Sequence, residues 1–207
     1  MRLGLGTLAL LLAAMPVDAA DDLNVEITPF VSYRFGGSFE LEGSDASYEI
    51  EDSEAFGLLL NLRHSGNTQW EILYSLQQST ARLRDSALTA AAVDTDIHVL
   101  QIGGTYQGDG EKVRPYVALT LGGTHVKTAA NGSQSDTFFS GSIGVGMNLI
   151  PNERLGFRFE ARAYGTLMNS STDLFCQTGP NANICAVRID GNLLGQFEAI
   201  AGVIFRF

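Results

Sequence analysis

The sequence predicts an all-β protein, an eight-stranded antiparallel up-and-down transmembrane β-barrel. Three observations predict this fold: eight long segments in which apolar and polar residues alternate, connections of alternating length, and an aromatic last residue. Each segment reaches or exceeds the roughly 9–11 residues of a tilted transmembrane strand, whereas strands of soluble proteins have about 5–6. The 23 glycines among 207 residues also disfavour a helical protein, because glycine weakens helix interiors.

The eight segments have the period-two pattern of strands with one apolar and one polar face. They cover residues 24–35, 54–64, 69–80, 95–106, 114–126, 137–149, 154–167 and 192–207. In the seventh segment, for example, Phe157 and Phe159 alternate with Arg158 and Glu160. We predict that the apolar side chains face lipid and that the polar side chains face the barrel interior.

The connections between the segments alternate between short turns and long stretches. Short turns follow the second, fourth and sixth segments, and the longer connections cover residues 36–53, 81–94, 127–136 and 168–191. An up-and-down barrel then has all its short turns and both termini at one end. Because bacterial barrels have short periplasmic turns, we expect the long connections to be extracellular.

The N-terminus has the organisation of a secretory signal peptide. Arg2 gives a short positive region, residues 3–15 are apolar, and Val-Asp-Ala at 17–19 has the small-x-small pattern that precedes a cleavage site. We therefore expect a signal peptide over residues 1–19 and a barrel domain over residues 20–207. An uncleaved anchor is the alternative, although the apolar run is shorter than the roughly 20 residues of a spanning helix.

Aromatic residues fall near the strand ends in two groups, as expected where rings lie at the two membrane interfaces. The short-turn group is Trp70, Tyr106, Tyr116, Phe157, Phe205 and Phe207, and the long-connection group is Phe35, Phe56, Phe138, Phe139 and Phe197. A secreted, lipocalin-like barrel remains the alternative, because alternation alone does not define which face is inside.

Nine charged residues lie on the face that a transmembrane barrel turns inward. They are Glu26, Arg34, Arg63, Glu71, Arg158, Glu160, Arg162, Glu198 and Arg206. Cations and anions nearly balance in this set, and buried charges are costly unless they are paired. The interior of an eight-stranded barrel is only wide enough for side chains. We therefore predict a salt-bridged interior without an open pore.

The sequence indicates no catalytic residues, no cofactor and no metal site. Of the three histidines, His64 lies at the short-turn end, and neither His98 nor His125 precedes a serine at the spacing associated with barrel-type lipid deacylases. Cys176 and Cys185 lie in one Gly/Asn/Pro-rich stretch. An oxidising exported compartment favours a disulfide between them, and metal binding is the alternative.

The charge of the chain limits its partners. A net charge of −10 and a pI near 4.6 argue against nucleic acid, whose phosphates require a basic surface. The first long connection and its flanks carry acidic residues, which indicate a solvated loop or, alternatively, one that binds divalent cations beside lipopolysaccharide phosphates. These residues are Glu40, Glu42, Asp45, Glu49, Glu51, Asp52 and Glu54.

Both ends of the barrel region resemble a known family. The chain closes with GVIFRF, in which Val203, Phe205 and Phe207 alternate, and its first strand contains ITPFVSYRFGG. These segments resemble the small outer-membrane β-barrel proteins of Gram-negative bacteria, the group that includes the OmpA barrel, the OmpX/Ail type and the OmpW type. The resemblance implies that Val203, Phe205 and Phe207 form a C-terminal assembly signal.

The resemblance also implies a location and a set of roles. The chain is expected to be integral to the outer membrane, in contact with its lipid and lipopolysaccharide and with the barrel-assembly machinery during biogenesis. We expect a non-enzymatic structural or surface-interaction role, with an extracellular ligand bound by the long connections. A narrow, OmpW-like transporter for small hydrophobic molecules is the alternative, and a lipid A-modifying enzyme is a third hypothesis.

Overall fold

The computed structural model describes residues 25–40, 47–84, 92–128, 134–167, 177–179, 182–184 and 193–207. The predicted signal peptide over residues 1–19 lies outside these ranges, and so do Cys176 and Cys185, so both remain predictions. In the described ranges, no helix has the length and apolar character needed to cross a membrane.

Twelve strands occur within the described residues. They are β1 (Val25–Phe35), β2 (Ser38–Glu40), β3 (Ser47–Ile50), β4 (Ser53–Ser65), β5 (Thr68–Arg84), β6 (Ala92–Gln107), β7 (Val113–Thr128), β8 (Gln134–Leu149), β9 (Leu155–Leu167), β10 (Gln177–Gly179), β11 (Ala182–Ile184) and β12 (Leu193–Arg206). The eight long strands pair antiparallel in the order β1-β4-β5-β6-β7-β8-β9-β12, and β12 pairs with β1. The closed barrel confirms the predicted fold class.

The outer surface of the barrel is apolar and its interior is polar and charged. Leu119 is 62% exposed and Phe159 is 46% exposed, whereas Arg158, the neighbour of Phe159 on β9, is only 1% exposed. A lipocalin-like barrel would have the opposite arrangement, with apolar side chains inside. The secreted-carrier alternative is therefore wrong.

The two ends of the barrel differ in the length of their connections, but only three of the four connections predicted to be long exceed the short turns. The connection between β7 and β8, predicted over residues 127–136, covers only residues 129–133, because both strands extend past their predicted ends. Residues 66–67, 108–112 and 150–154 form the short turns of one end, and Gly66 has the positive φ of 53° that a tight turn favours. The opposite end carries the connections over residues 36–52, 85–91, 129–133 and 168–192.

The long connections contain strands that the sequence analysis did not predict. β2 and β3 form a hairpin whose second strand pairs with β5, which extends to Arg84 instead of ending near residue 80. β10 and β11 form a separate hairpin in the last connection. The hairpin on β5 gives the backbone of that overhanging strand a hydrogen-bonding partner, which an unpaired edge lacks.

The two interfacial groups of aromatics are only partly as predicted. Tyr116 and Phe138 are 4% and 5% exposed and lie inside the barrel, so their assignment to the membrane interface is wrong. Side chains alternate between the two faces of a strand, so a residue at an inward position stays inside even close to a strand end. The other predicted interfacial aromatics are exposed on the outer face.

Candidate functional site: the charged interior of the barrel

Four charged side chains form a ring of ion pairs inside the barrel, which we call the four-charge cluster. Arg158 Nη2 lies 2.7 Å from Glu71 Oε2 and 2.8 Å from Glu160 Oε2. Arg162 Nη2 lies 2.6 Å from Glu71 Oε1, and Arg162 Nε donates to Glu160 Oε1 at 2.5 Å. Each arginine therefore contacts both carboxylates, and each carboxylate contacts both arginines.

The position of this cluster follows from the alternation of β9 and from the strand order. Arg158, Glu160 and Arg162 are successive inward residues of β9, with the carboxylate between the two guanidinium groups. Glu71 projects from β5, which is four strands away from β9 in either direction around the eight-stranded barrel. The ion pairs between Glu71 and the two arginines therefore join opposite walls of the barrel.

Neutral polar groups satisfy the remaining hydrogen-bonding capacity of the carboxylates. Tyr116 Oη donates to Glu160 Oε2 at 2.6 Å, and the Arg158 guanidinium lies 4.3 Å from the centre of the Tyr116 ring. Asn61 Nδ2 donates to Glu71 Oε2 at 3.1 Å, and Asn61 Oδ1 accepts from Arg158 Nη1 at 3.2 Å. Such additional bonds are what a buried ion pair needs to offset its desolvation.

A hydroxyl and amide network holds the other side of Arg162. Arg162 Nη1 donates to Ser142 Oγ at 3.1 Å and to Thr120 Oγ1 at 3.2 Å. Both hydroxyls in turn contact Gln101 Oε1, at 2.8 and 2.7 Å. The cluster is thus connected through hydrogen bonds to strands β4, β6, β7 and β8 as well as to β5 and β9.

A second buried ion pair lies closer to the long-connection end. Arg34 Nη2 is 3.1 Å from Glu198 Oε1 and donates to Ser75 Oγ at 2.9 Å. Glu198 accepts from Ser32 Oγ at 2.6 Å and from the Tyr164 hydroxyl. The Arg34 guanidinium lies 4.5 Å from the centre of the Tyr164 ring, the same arrangement as that of Arg158 and Tyr116.

Two more of the predicted interior charges, Glu26 and Arg206, form a pair at the short-turn end, whereas Arg63 lies outside the interior. Arg206 Nε lies 2.9 Å from Glu26 Oε1 in a pair that is nearly buried. Arg63 is exposed, next to the register shift that ends the regular pairing of β4 before Ser65, so the prediction that it belongs to the interior network is wrong. Without Arg63, the remaining eight charges are four cations and four anions.

Two inward glycines of β8 make room for the network, and the sequence analysis did not identify them. A Cβ atom on Gly144 would lie 2.2 Å from Glu160 Oε1, and one on Gly146 would lie 2.6 Å from Tyr116 Oη. Neither distance is compatible with a side chain, so these positions accept only glycine while the network keeps its geometry. The signal in the sequence is glycine at alternate positions of a polar strand face.

The predicted assembly-signal residues lie on the outer face of the barrel, whereas Glu42 and Asp45 of the acidic first connection lie outside the described residues. Val203, Phe205 and Phe207 are exposed in one line at the end of β12. In the first long connection, Asp52 Oδ1 accepts from the Gly36 amide at 3.1 Å. Within the described ranges, no three His, Cys, Asp or Glu residues are grouped so as to hold a metal ion.

The apolar exterior, the strand lengths and the paired interior charges define an integral membrane β-barrel. A family model described as "Outer membrane protein beta-barrel domain" matches residues 5–183, and the chain belongs to that family. It is therefore an integral protein of the bacterial outer membrane. A comparison with curated protein sequences gives no match.

Solved structures of outer-membrane barrels share the fold. Neisserial surface protein A (NspA) is 11% identical with a TM-score of 0.59, over 88% of this chain and 97% of that chain. The N-terminal β-barrel domain of Pseudomonas aeruginosa OprF is 14% identical with a TM-score of 0.51, over 89% and 98%. The outer-membrane protein AlkL, in DMPC bilayers, is 14% identical with a TM-score of 0.52, over 93% and 95%. At these identities the likeness shows the fold alone.

Proposed function

We propose that this barrel has a structural or surface-interaction role in the outer membrane and that its interior does not conduct solutes. The observation that carries the proposal is the pair of contacts from Glu71 to Arg158 and Arg162, which join opposite walls of the barrel at 2.7 and 2.6 Å. Side chains that meet across the lumen leave no continuous water-filled path at that level. The interior of an eight-stranded barrel is only wide enough for its own side chains.

The proposal includes an orientation, with short turns and termini periplasmic and long connections extracellular. Support comes from the lengths of the connections between the barrel strands, which are two, five and five residues at one end and 17, seven, five and 25 residues at the other. At the other end, β5 to β8 extend as strands of 16 or 17 residues. The proposal assigns the binding of an extracellular ligand to the connections that these strands carry.

Conductance in planar bilayers tests the closed interior. Folded wild-type protein is expected to give no large, steady conductance, whereas a variant with Glu71→Ala, Arg158→Ala and Arg162→Ala removes the side chains that cross the lumen and is expected to conduct. Heat-dependent electrophoretic mobility checks that each sample is folded. Large, steady currents from the folded wild-type barrel would contradict the proposal.

Epitope insertion tests the orientation separately. An epitope placed in the connection over residues 129–133 is expected to bind antibody on intact cells, and the same epitope placed in the turn over residues 108–112 is expected to bind only after the cells are opened. The reverse pattern would overturn the orientation and would leave the closed interior untouched.

A narrow transporter for small hydrophobic molecules is the second candidate, because part of the interior is apolar. Ile97, Val99, Val126, Phe138 and Leu194 are buried together in the half of the barrel nearer the long connections. Saturable entry of a medium-chain alkane into vesicles that hold the wild-type barrel, lost on Leu194→Arg, would favour transport. Entry at the rate of protein-free vesicles would favour the structural role.

A further inference from the structure

The outer face of β5 to β8 changes from apolar to polar over three successive rows near the long-connection end. Strand register aligns the rows as Tyr74-Leu100-Gly123-Phe139, then Leu76-His98-His125-Thr137, then Gln78-Asp96-Lys127-Ser135. Leu100 and Phe139, in the first row, are exposed on the lipid-facing surface. The middle row therefore lies at the boundary between the apolar surface and the polar rim.

Four side chains at this boundary are linked by short contacts, and we call them the histidine band: Tyr74, His98, His125 and Thr137. Tyr74 Oη lies 3.0 Å from His98 Nδ1, and Thr137 Oγ1 lies 2.9 Å from His125 Nδ1. The two imidazole rings lie side by side on β6 and β7, with their centres 6.3 Å apart and their planes tilted by 50°. Both rings are only partly exposed, although they lie on the outer face.

The contacts at Nδ1 leave Nε2 of each imidazole ring as the atom that can donate to a ligand. A phenol and an alcohol can each donate to an imidazole nitrogen, and when both donate to Nδ1 the two rings carry their N–H groups at Nε2. Lys127 lies two residues after His125 on the same face of β7 and adds an ammonium group. Two N–H donors and a cation within one small area suit an oxyanion.

We propose that the histidine band and Lys127 bind the phosphate headgroup of a lipid in the leaflet at the long-connection end. The position favours a lipid phosphate, because the exposed Leu100 and Phe139 lie directly beside the band and offer apolar surface to the acyl chains of the same molecule. The site is on the outer surface, so the inference goes beyond the proposed function and does not depend on a closed lumen.

Two neighbouring carboxylates on the outer face of β6, Asp94 and Asp96, oppose phosphate binding, and Asp96, the nearer to the histidine band, gives the proposal a second test. Asp96 is the register partner of Lys127 across β6 and β7, and its Oδ1 accepts from Gln78 Nε2 at 3.3 Å. Its carboxylate repels an anion and weakens the field of Lys127. Removal of this charge should therefore strengthen phosphate binding, whereas a merely structural role for the row would make the same substitution neutral or harmful.

Nuclear magnetic resonance of histidine-labelled protein provides the measurement. The probe is phosphatidic acid added in small amounts to phosphatidylcholine vesicles that hold the full-length barrel. The ring signals of His98 and His125 are expected to shift with the amount of phosphatidic acid. His64 serves as the internal control, because it lies beside Trp70 at the other end of the barrel and is expected to stay constant.

Three variants complete the test. Lys127→Gln is expected to weaken binding about fivefold, the change for one cation at an anionic membrane surface, and Asp96→Asn is expected to strengthen it by a similar factor. Lys112→Gln, in a short turn, is the matched control and is expected to have no effect.

Two results would overturn the inference: equal shifts at all three histidines, or affinity changes of the same sign for Lys127→Gln and Asp96→Asn. If inorganic phosphate shifts the His98 and His125 signals as much as phosphatidic acid does at the same concentration, the bound phosphate does not have to belong to a lipid, and the choice of a lipid ligand is overturned.

Discussion

Substitution of Gly144 by alanine tests how tightly the interior network is packed. The new Cβ would lie 2.2 Å from Glu160 Oε1, 3.0 Å from Glu160 Cδ and 3.3 Å from Arg162 Nε. To restore an ordinary contact, the carboxylate oxygen must move by about 1.2 Å, the difference between 2.2 Å and the lower limit of 3.4 Å for such contacts. That oxygen is also bound by Arg162 Nε at 2.5 Å, so the movement breaks or lengthens a buried ion pair.

The expected destabilisation follows from two costs and one gain. Overpacking of a buried site costs about 1–3 kcal/mol, and a buried ion pair that loses one partner completely costs about 3–5 kcal/mol. Alanine raises the free energy of unfolding by about 0.5–1 kcal/mol relative to glycine, because it restricts the conformations of the unfolded chain. Because Glu160 keeps its contacts with Arg158 and Tyr116, the ion-pair cost is partial. We expect a net loss of about 2–4 kcal/mol in the free energy of unfolding.

Urea unfolding in lipid vesicles measures this loss, with the fluorescence of Trp70, the only tryptophan, as the signal. Gly195→Ala is the matched control, because a Cβ on Gly195 would have no heavy atom within 4 Å. The control is expected to be neutral or slightly stabilising. If Gly144→Ala and Gly195→Ala unfold at the same urea concentration, Glu160 is not held as tightly as its ion pairs indicate.

Three further predictions concern the interior, the lipid-facing surface and assembly. Glu71→Gln leaves the guanidinium groups of Arg158 and Arg162 with one carboxylate, that of Glu160, so one buried positive charge loses its counter-charge. This is expected to lower the free energy of unfolding by about 3–5 kcal/mol; equal urea midpoints for Glu71→Gln and for the control Glu153→Gln, in an exposed turn, would contradict this. Leu119→Arg places a charge on the lipid-facing surface and is expected to cost about 2–4 kcal/mol in the same assay, and a neutral result would argue against lipid contact there. Phe207→Ser, at the exposed end of the barrel, is expected to reduce the fraction of heat-modifiable, folded protein in isolated outer membranes while the purified chain still refolds in detergent; wild-type yield in cells would contradict an assembly role.

The strand positions and faces could be predicted because each depends on a local pattern. The segment over residues 54–64 became β4 (Ser53–Ser65), and the alternation over residues 154–167 gave the faces of β9. Arg63 shows the limit of this reasoning. Its position in the alternation is inward, but β4 ends there in a register shift at the barrel rim, and a local pattern carries no information on depth.

The partners within the interior could not be predicted, because they depend on the register of the whole barrel. Glu71 and Arg158 are 87 positions apart in sequence, and they meet because their strands lie opposite each other. The same holds for His98 and His125, which become neighbours only through the pairing of β6 with β7. The alternate glycines are visible in the sequence of β8, but the side chain that requires glycine at Gly144 reaches it from β9, and nothing within β8 identifies that contact.

Quenching of single tryptophans by brominated lipid tests most directly whether the apolar face of the barrel contacts acyl chains. Native Trp70 lies near the short-turn end of β5, and the variant with Trp70→Phe and Phe159→Trp moves the probe further along the lipid-facing surface. Brominated phosphatidylcholine is expected to quench both tryptophans strongly, with bromines deeper in the acyl chain more effective at position 159. Both should be protected from aqueous iodide. Strong quenching by iodide and none by brominated lipid would mean that this face contacts water.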